Sequence, residues 1–285
     1  MKRESALMTD SVSTGAPEGA WSSDERKEKV EVNGRKLAWN RMGSGSPAVI
    51  LETGLGAESD EWISIQRAVS EATLVCRYDR VGRGESDAAP TQPRSVGNMV
   101  EDLHTLLRKT AIAGPCLLVG HSFGGLLVRL YAHRYPQEVS GLVLVDAMHP
   151  DQFDVIGGAL PPATPEDPPA LRGFREFWTG GWRDPKSTFE RIDFATSFRE
   201  TQDVRSLGQL PIRVITAATA TRSAFMPEAS RPGLQALWDE LQRRFLSLSP
   251  QATQSFASNS GHFVQREQPE IIIDAIKALI ERART

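Results

Sequence analysis

Six short runs punctuate the chain, at residues 48–51, 73–78, 116–120, 139–145, 212–216 and 253–256, and the first four end at glycine or charge. Runs this short and unalternating suit strands covered on both faces of a sheet. Between them, residues 61–70, 96–110, 123–134, 234–246 and 269–280 carry apolar side chains at helical spacing. Strand and helix therefore alternate, a pattern that leaves few solutions: a mostly parallel, twisted sheet with right-handed crossovers and helices on both faces. At the front, Val30, Val32, Leu37 and Trp39 flank Asn33-Gly34. That dipeptide permits the positive φ angles of a tight hairpin, so two antiparallel strands are expected within residues 29–42.

One stretch breaks the rhythm. From 147 to 210 no strand intervenes, Pro161-Pro162 and Pro168-Pro169 interrupt any long helix, and Phe153, Phe174, Phe177, Trp178, Trp182, Phe189, Phe194 and Phe198 accumulate. This reads as a helical cap inserted at 147–210 into a core made of 29–146 and 211–285. Most of these aromatics read individually as packing; Phe174, Phe177, Trp178 and Trp182, crowded into one segment, are candidates for an apolar substrate pocket. Residues 1–28 are polar and read as a disordered or flexible leader, with a short lid or partner contact as the alternative.

Composition narrows the function classes. Lys plus Arg number 33 against 36 Asp plus Glu, a formal charge of −3, which disfavours a nucleic-acid partner. The apolar stretches are too short to span a bilayer, and the leader lacks the apolar core of a secretory signal, so a cytoplasmic protein is expected. Two cysteines, Cys76 and Cys116, cannot build a disulfide framework or a four-ligand zinc site by themselves.

The chemistry concentrates at residues 117–125, Leu-Leu-Val-Gly-His-Ser-Phe-Gly-Gly. A strand ends there, a helix with an apolar face at Leu126, Leu127, Leu130 and Tyr131 begins, and Gly120, Ser122 and Gly124 form Gly-x-Ser-x-Gly. A turn that tight strains the central serine backbone and excludes bulk two residues to either side. A serine at a helix N-terminus also lies beside free N–H groups and the positive end of the helix dipole, which stabilise an acyl-transfer oxyanion.

Here the chain resembles the α/β-hydrolase superfamily, from about Val30 to the C-terminus. Residues 50–56, Ile-Leu-Glu-Thr-Gly-Leu-Gly, are similar to the family's oxyanion loop, with Trp62 beyond; Thr53-Gly54 stands where His-Gly is common. By position, the N–H of Leu55 pairs with that of Phe123 as the implied oxyanion donors. Residues 78–86 resemble the family's Asp-x-x-Gly-x-Gly-x-Ser turn, a structural feature. Residues 260–263, Ser-Gly-His-Phe, resemble the loop of the catalytic histidine, which makes His262 the general base and Ser122 its nucleophile.

The other histidines have plainer roles. His104 and His133 fall in helices, His149 opens the inserted segment, and His121 is expected to leave the turn in another direction and support it. The orienting acid is open between two residues. Most family members place it after the strand that follows the cap, yet 211–225 hold no Asp or Glu and Glu228 is the first candidate. Asp146, at the tip of the preceding strand with Pro150 four residues on, resembles the arrangement of some haloalkane dehalogenases and is preferred; its plainer reading is a cap or salt bridge at the strand end. The resemblance implies a cofactor-free serine hydrolase of carboxylic esters acting through an acyl-enzyme, with lactonase, carbon–carbon bond hydrolase, amidase, acyltransferase or perhydrolase chemistry as alternatives on the same residues, and the crowded aromatics point to a small, apolar ester as its substrate. A binding module with a silent triad is the alternative from a different class.

Overall fold

The computed structural model describes residues 25–112, 114–219 and 225–285, so most of the expected leader lies outside the described residues. Strand β1 (Arg26–Val32) begins three residues before the expected opening and pairs antiparallel with β2 (Arg35–Met42). The turn joining them has Asn33 at φ 50° and Gly34 at φ 81°, the two positive values that the dipeptide permits. There follow β3 (Val49–Glu52), α1 (Ile63–Ser70), β4 (Val75–Tyr78), α2 (Val96–Lys109), β5 (Cys116–His121), α3 (Phe123–Arg134) and β6 (Val139–Val145). Three helices, α4 (Gln152–Ala159), α5 (Pro169–Thr179) and α6 (Phe194–Gln202), precede β7 (Ile212–Ala217), α7 (Arg231–Arg244), β8 (Ala252–Ala257), the single turn α8 (Val264–Glu267) and α9 (Pro269–Arg284).

The eight strands form one sheet in the order β1-β2-β4-β3-β5-β6-β7-β8. It is antiparallel at the β1-β2-β4 edge and parallel elsewhere. Alternate strand residues bury on opposite sides: Leu118, Leu142, Leu144 and Val214 face the layer of α2 and α3, while Leu117, Val119, Val143 and Ile215 face α1 and α9. Two covered faces explain why the central runs show no polar alternation. In α9, Ile272, Ile276, Leu279 and Ile280 fall on one stripe and are buried against the sheet, each side chain contributing roughly 1.5–3 kcal/mol by leaving water.

One expected strand departs from this picture. The sequence predicts a β8 covered on both faces like the others, yet it is the edge strand of the sheet, most of its residues keep contact with solvent, and Phe256 is exposed. Among the described residues only its β7 side is paired.

Residues between β6 and β7 contain no strand, as expected. Pro169 opens α5 at its first position, where a missing N–H costs nothing. The aromatics there gather around Phe153 on α4, whose ring stacks on Trp182 at 5.0 Å and meets the edges of Trp178 at 5.0 Å and Phe194 at 5.4 Å. This cluster is a small core of its own, seated over the C-terminal ends of the parallel strands.

A buried ionic network ties that segment to the sheet. Arg80 donates to Glu190 Oε2 (2.7 Å), to Glu52, and to the carbonyls of Thr53 (2.8 Å) and Gly54 (2.6 Å). Glu190 in turn accepts the Gly56 N–H at 2.8 Å. Burial works against charge on Arg80, but Glu190 and Glu52 outweigh it and hold the guanidinium firmly protonated. Arg80→Met should therefore strand two buried carboxylates and cost about 3–5 kcal/mol in chemical denaturation; a change within error would show that the network adds nothing.

Candidate active site

Residue 122 ends β5 and opens α3, and its backbone takes φ 50°, ψ −117°, a left-handed value rarely adopted by a residue with a side chain. The strain is held by its surroundings: Ser122 N–H donates to Val145 O at 3.0 Å, and Ser122 O accepts from Gly125 N (2.9 Å) and Met148 N (2.8 Å). The flanking glycines are steric necessities. A Cβ on Gly120 would meet Gly124 O at 2.6 Å, and one on Gly124 would meet the carbonyls of Glu52 and Thr53 at 2.7 Å. Real Cβ atoms do not approach so closely, which is why the turn is written with glycine at both positions.

Asp146, at the end of the neighbouring strand β6, is wholly buried and also left-handed, at φ 41°. Its Oδ2 stands 2.6 Å from His262 Nδ1. Its Oδ1 accepts from Trp238 Nε1 at 2.7 Å and from Ala217 N at 3.0 Å. Those three donors compensate a carboxylate taken out of water. Ala217 closes β7, the strand after which most relatives are expected to carry the acid; here that strand end supplies an N–H instead. Glu228 lies on an exposed 3₁₀ turn, Glu228–Ser230.

His262 is in the loop between β8 and α8, its side chain 18% exposed. The loop is pinned from two sides: His121 Nε2 donates to His262 O at 2.8 Å, and Glu267 Oε2 accepts the Gly261 N–H at 2.7 Å. With its proton on Nε2, His121 presents Nδ1 as an acceptor to Gln265 Nε2 at 3.2 Å. Burial, reinforced by the adjacent His262 ring, pushes His121 well below the usual imidazole value, so it serves as a neutral tether. Its side chain supports the site as expected, though it does so by holding the histidine loop.

Ser122, His121 and His262 share one narrow cleft with Gly54, Leu55, Ala57, Met148, Gln152, Phe153, Phe177 and Phe263. The enclosed space is only about 30 Å³, enough for a water molecule or so. Of the four aromatics expected in a pocket, Phe177 lines this cleft. Trp178 and Trp182 are buried against Phe153, and Phe174 stacks on Trp178 at 5.0 Å and touches Phe225 at 5.5 Å. Phe123 is fully buried at the first turn of α3, and Leu55 sits in the loop that Arg80 clamps.

Two residues do not stand out in the sequence. Phe153 is one aromatic among eight, and Trp238, on α7, lies 92 residues from the carboxylate it bonds. Its mid-helix position reads as packing. Trp238→Phe keeps an aromatic ring against His262 and removes one donor from Asp146. Loss of a hydrogen bond to a charged group should lower kcat about tenfold with KM little changed; an equal fall in stability with kcat intact would make Trp238 structural only.

The family model described as "alpha/beta hydrolase fold" matches residues 47–175. The uncharacterized protein YqjL of Bacillus subtilis (strain 168) is 26% identical over 83% of this chain and 85% of its own length. Among solved structures, a thermophilic esterase from Thermogutta terrifontis superposes with a TM-score of 0.63 at 20% identity, over 91% of this chain and 100% of that one. The Cif epoxide hydrolase from Acinetobacter nosocomialis superposes with a TM-score of 0.68 at 17% identity, over 92% and 90%. At such identities the structural likeness is one of fold. With the family match over residues 47–175, the segment that carries the serine turn, and the mostly parallel eight-stranded sheet around it, the chain has the α/β-hydrolase fold.

Proposed function

We propose that the protein is a serine hydrolase of carboxylic esters, with Ser122 as nucleophile, His262 as general base and Asp146 as the orienting acid. The observation that carries the reading is the 2.6 Å contact of His262 Nδ1 with the buried Asp146 carboxylate, in a loop whose histidine shares a cleft with a strained serine. A carboxylate on Nδ1 holds that proton in place and leaves Nε2 free to take the hydroxyl proton of Ser122. The N–H groups of Phe123 and Leu55 then receive the oxyanion, and water hydrolyses the acyl-enzyme through the same base. Segment 147–210 acts as the cap, and the clamp of Arg80 and Glu190 on residues 53–56 gives the oxyanion loop its rigidity.

Relatives of this fold include esterases and epoxide hydrolases. The elbow residue favours the acyl chemistry, because an alkyl-enzyme intermediate that water can hydrolyse calls for a carboxylate nucleophile and position 122 is serine. Met148, Phe153, Phe177 and Phe263 around the cleft favour a small apolar acyl or alcohol group. A screen of p-nitrophenyl esters, lactones and amides, paired with a fluorophosphonate probe, tests this directly. Short apolar or aryl esters should turn over fastest and the probe should label Ser122 once per chain. Absence of both turnover and labelling would leave the binding-module reading.

A further inference from the structure

A second cavity, of about 230 Å³, lies between α3, the start of the segment after β6, α6 and the end of α7, and shares no lining residue with the Ser122 cleft. Its wall includes Arg129, Arg205 and Arg244, with His149 and Asp151 beside them. Arg129 is the unusual member. It projects from the middle of α3, is 4% exposed, and among the described residues its Nε and Nη1 have no hydrogen-bond partner. The guanidinium rests over the Phe245 ring at 4.8 Å, a contact that steadies a cation but satisfies none of its N–H groups. A buried arginine with idle donors is costly unless something negative meets it.

The chain's own carboxylate does not meet it. Asp151 is held by Arg244 at 3.2 Å and stands 3.7 Å from His149 Nδ1, while Arg244 also reaches Glu240 at 3.6 Å. His149 adds no charge at neutral pH: burial, with Arg129 and Arg244 nearby, brings its pKa down to about 3, and its Nδ1 accepts the Asp151 N–H at 3.1 Å. Burial lowers Arg129 only to about 10, so it remains a cation. Three guanidiniums thus face one carboxylate around a cavity with apolar walls at Pro150, Val204 and Leu248.

We propose that this cavity is a binding site for a phosphate dianion, free or as the monoester of a small molecule, received by Arg129 with Arg205 and Arg244 at the mouth. Arg244 is answered by Asp151 and Glu240, whereas Arg129 and Arg205 form no ion pair among the described residues; two unanswered guanidiniums match a dianion, and their forks match phosphate oxygens. The volume lies below the roughly 300 Å³ at which sites for drug-sized ligands begin, so the organic part is small.

Titration calorimetry at low ionic strength, with inorganic phosphate, glycerol phosphate and acetate as probes, decides the matter. One saturable phosphate site per chain is expected, weakened at least about tenfold by Arg129→Met and by Arg205→Gln. Arg205 is exposed, so its variant keeps the test open if Arg129→Met fails to fold. Asp151→Asn should tighten binding, since it removes the carboxylate that lines the cavity. Tighter binding of glycerol phosphate than of phosphate identifies a monoester ligand; the reverse identifies the free ion. No saturable binding of either, binding unchanged in both arginine variants, or acetate bound as tightly as phosphate would overturn the assignment.

Discussion

Ser122→Ala is expected to lower ester turnover by at least about a thousandfold while leaving the fold intact, because the hydroxyl is the one nucleophile proposed for the reaction. The fold should survive because the interactions that hold residue 122 in its left-handed conformation are made by its backbone: the N–H to Val145 O and the carbonyl to Gly125 N and Met148 N. Alanine keeps all three and, like serine, carries a Cβ that the site already accommodates. The residual rate reports what substrate binding and the proposed oxyanion donors, the N–H groups of Phe123 and Leu55, supply without covalent catalysis. KM should change little, and labelling by a fluorophosphonate should vanish. Melting temperature and circular dichroism of the variant separate lost chemistry from lost structure. Retention of most activity in a folded variant removes the proposed mechanism entirely.

The fold is legible in the sequence because its physics is local. Strands buried on both faces are written as short apolar runs, and a serine turn that cannot admit a Cβ at 120 or 124 must be written with glycine. The limits of β6 and α3 can be read to the residue for the same reason. β8 misleads because Thr253 to Phe256 falls in step with the other short runs, while its exposure depends on its place at the sheet edge, a property of the assembled sheet. Asp146 is visible as a carboxylate at a strand tip, but the donors that fix it come from Ala217 and Trp238, two elements further along the chain. Nothing in the local pattern around Trp238 marks its indole N–H as the partner of a distant carboxylate. The aromatic segment divides for a similar reason: at helical spacing Phe177 turns towards the cleft, while Trp178 and Trp182 turn into the cluster around Phe153. Spacing reveals the density of aromatics and leaves their direction to tertiary packing.

Asp146→Asn should cost far more than Glu228→Gln, and the geometry says how. Oδ1 of Asp146 accepts two N–H groups, from Trp238 and Ala217, and Oδ2 faces His262 Nδ1. An asparagine has one oxygen and one NH₂ group, so satisfying Trp238 and Ala217 places the oxygen on their side and turns the NH₂ towards His262. Nδ1 must then accept, which moves the imidazole proton to Nε2, the nitrogen proposed to take the proton of Ser122. The side-chain volume is nearly unchanged, so the defect is one of tautomer and charge with no cavity added. The amide also cannot stabilise the imidazolium formed during attack. Together these should lower kcat by about 10³–10⁴, with a modest change in KM. Glu228 sits on an exposed turn, and its replacement should leave the rate within error. The opposite ranking would transfer the acid role to Glu228 and leave Ser122 and His262 in place. If neither substitution matters, the catalytic unit is a Ser-His dyad, and the 2.6 Å contact with Asp146 serves only to hold the loop of His262 against the end of the sheet.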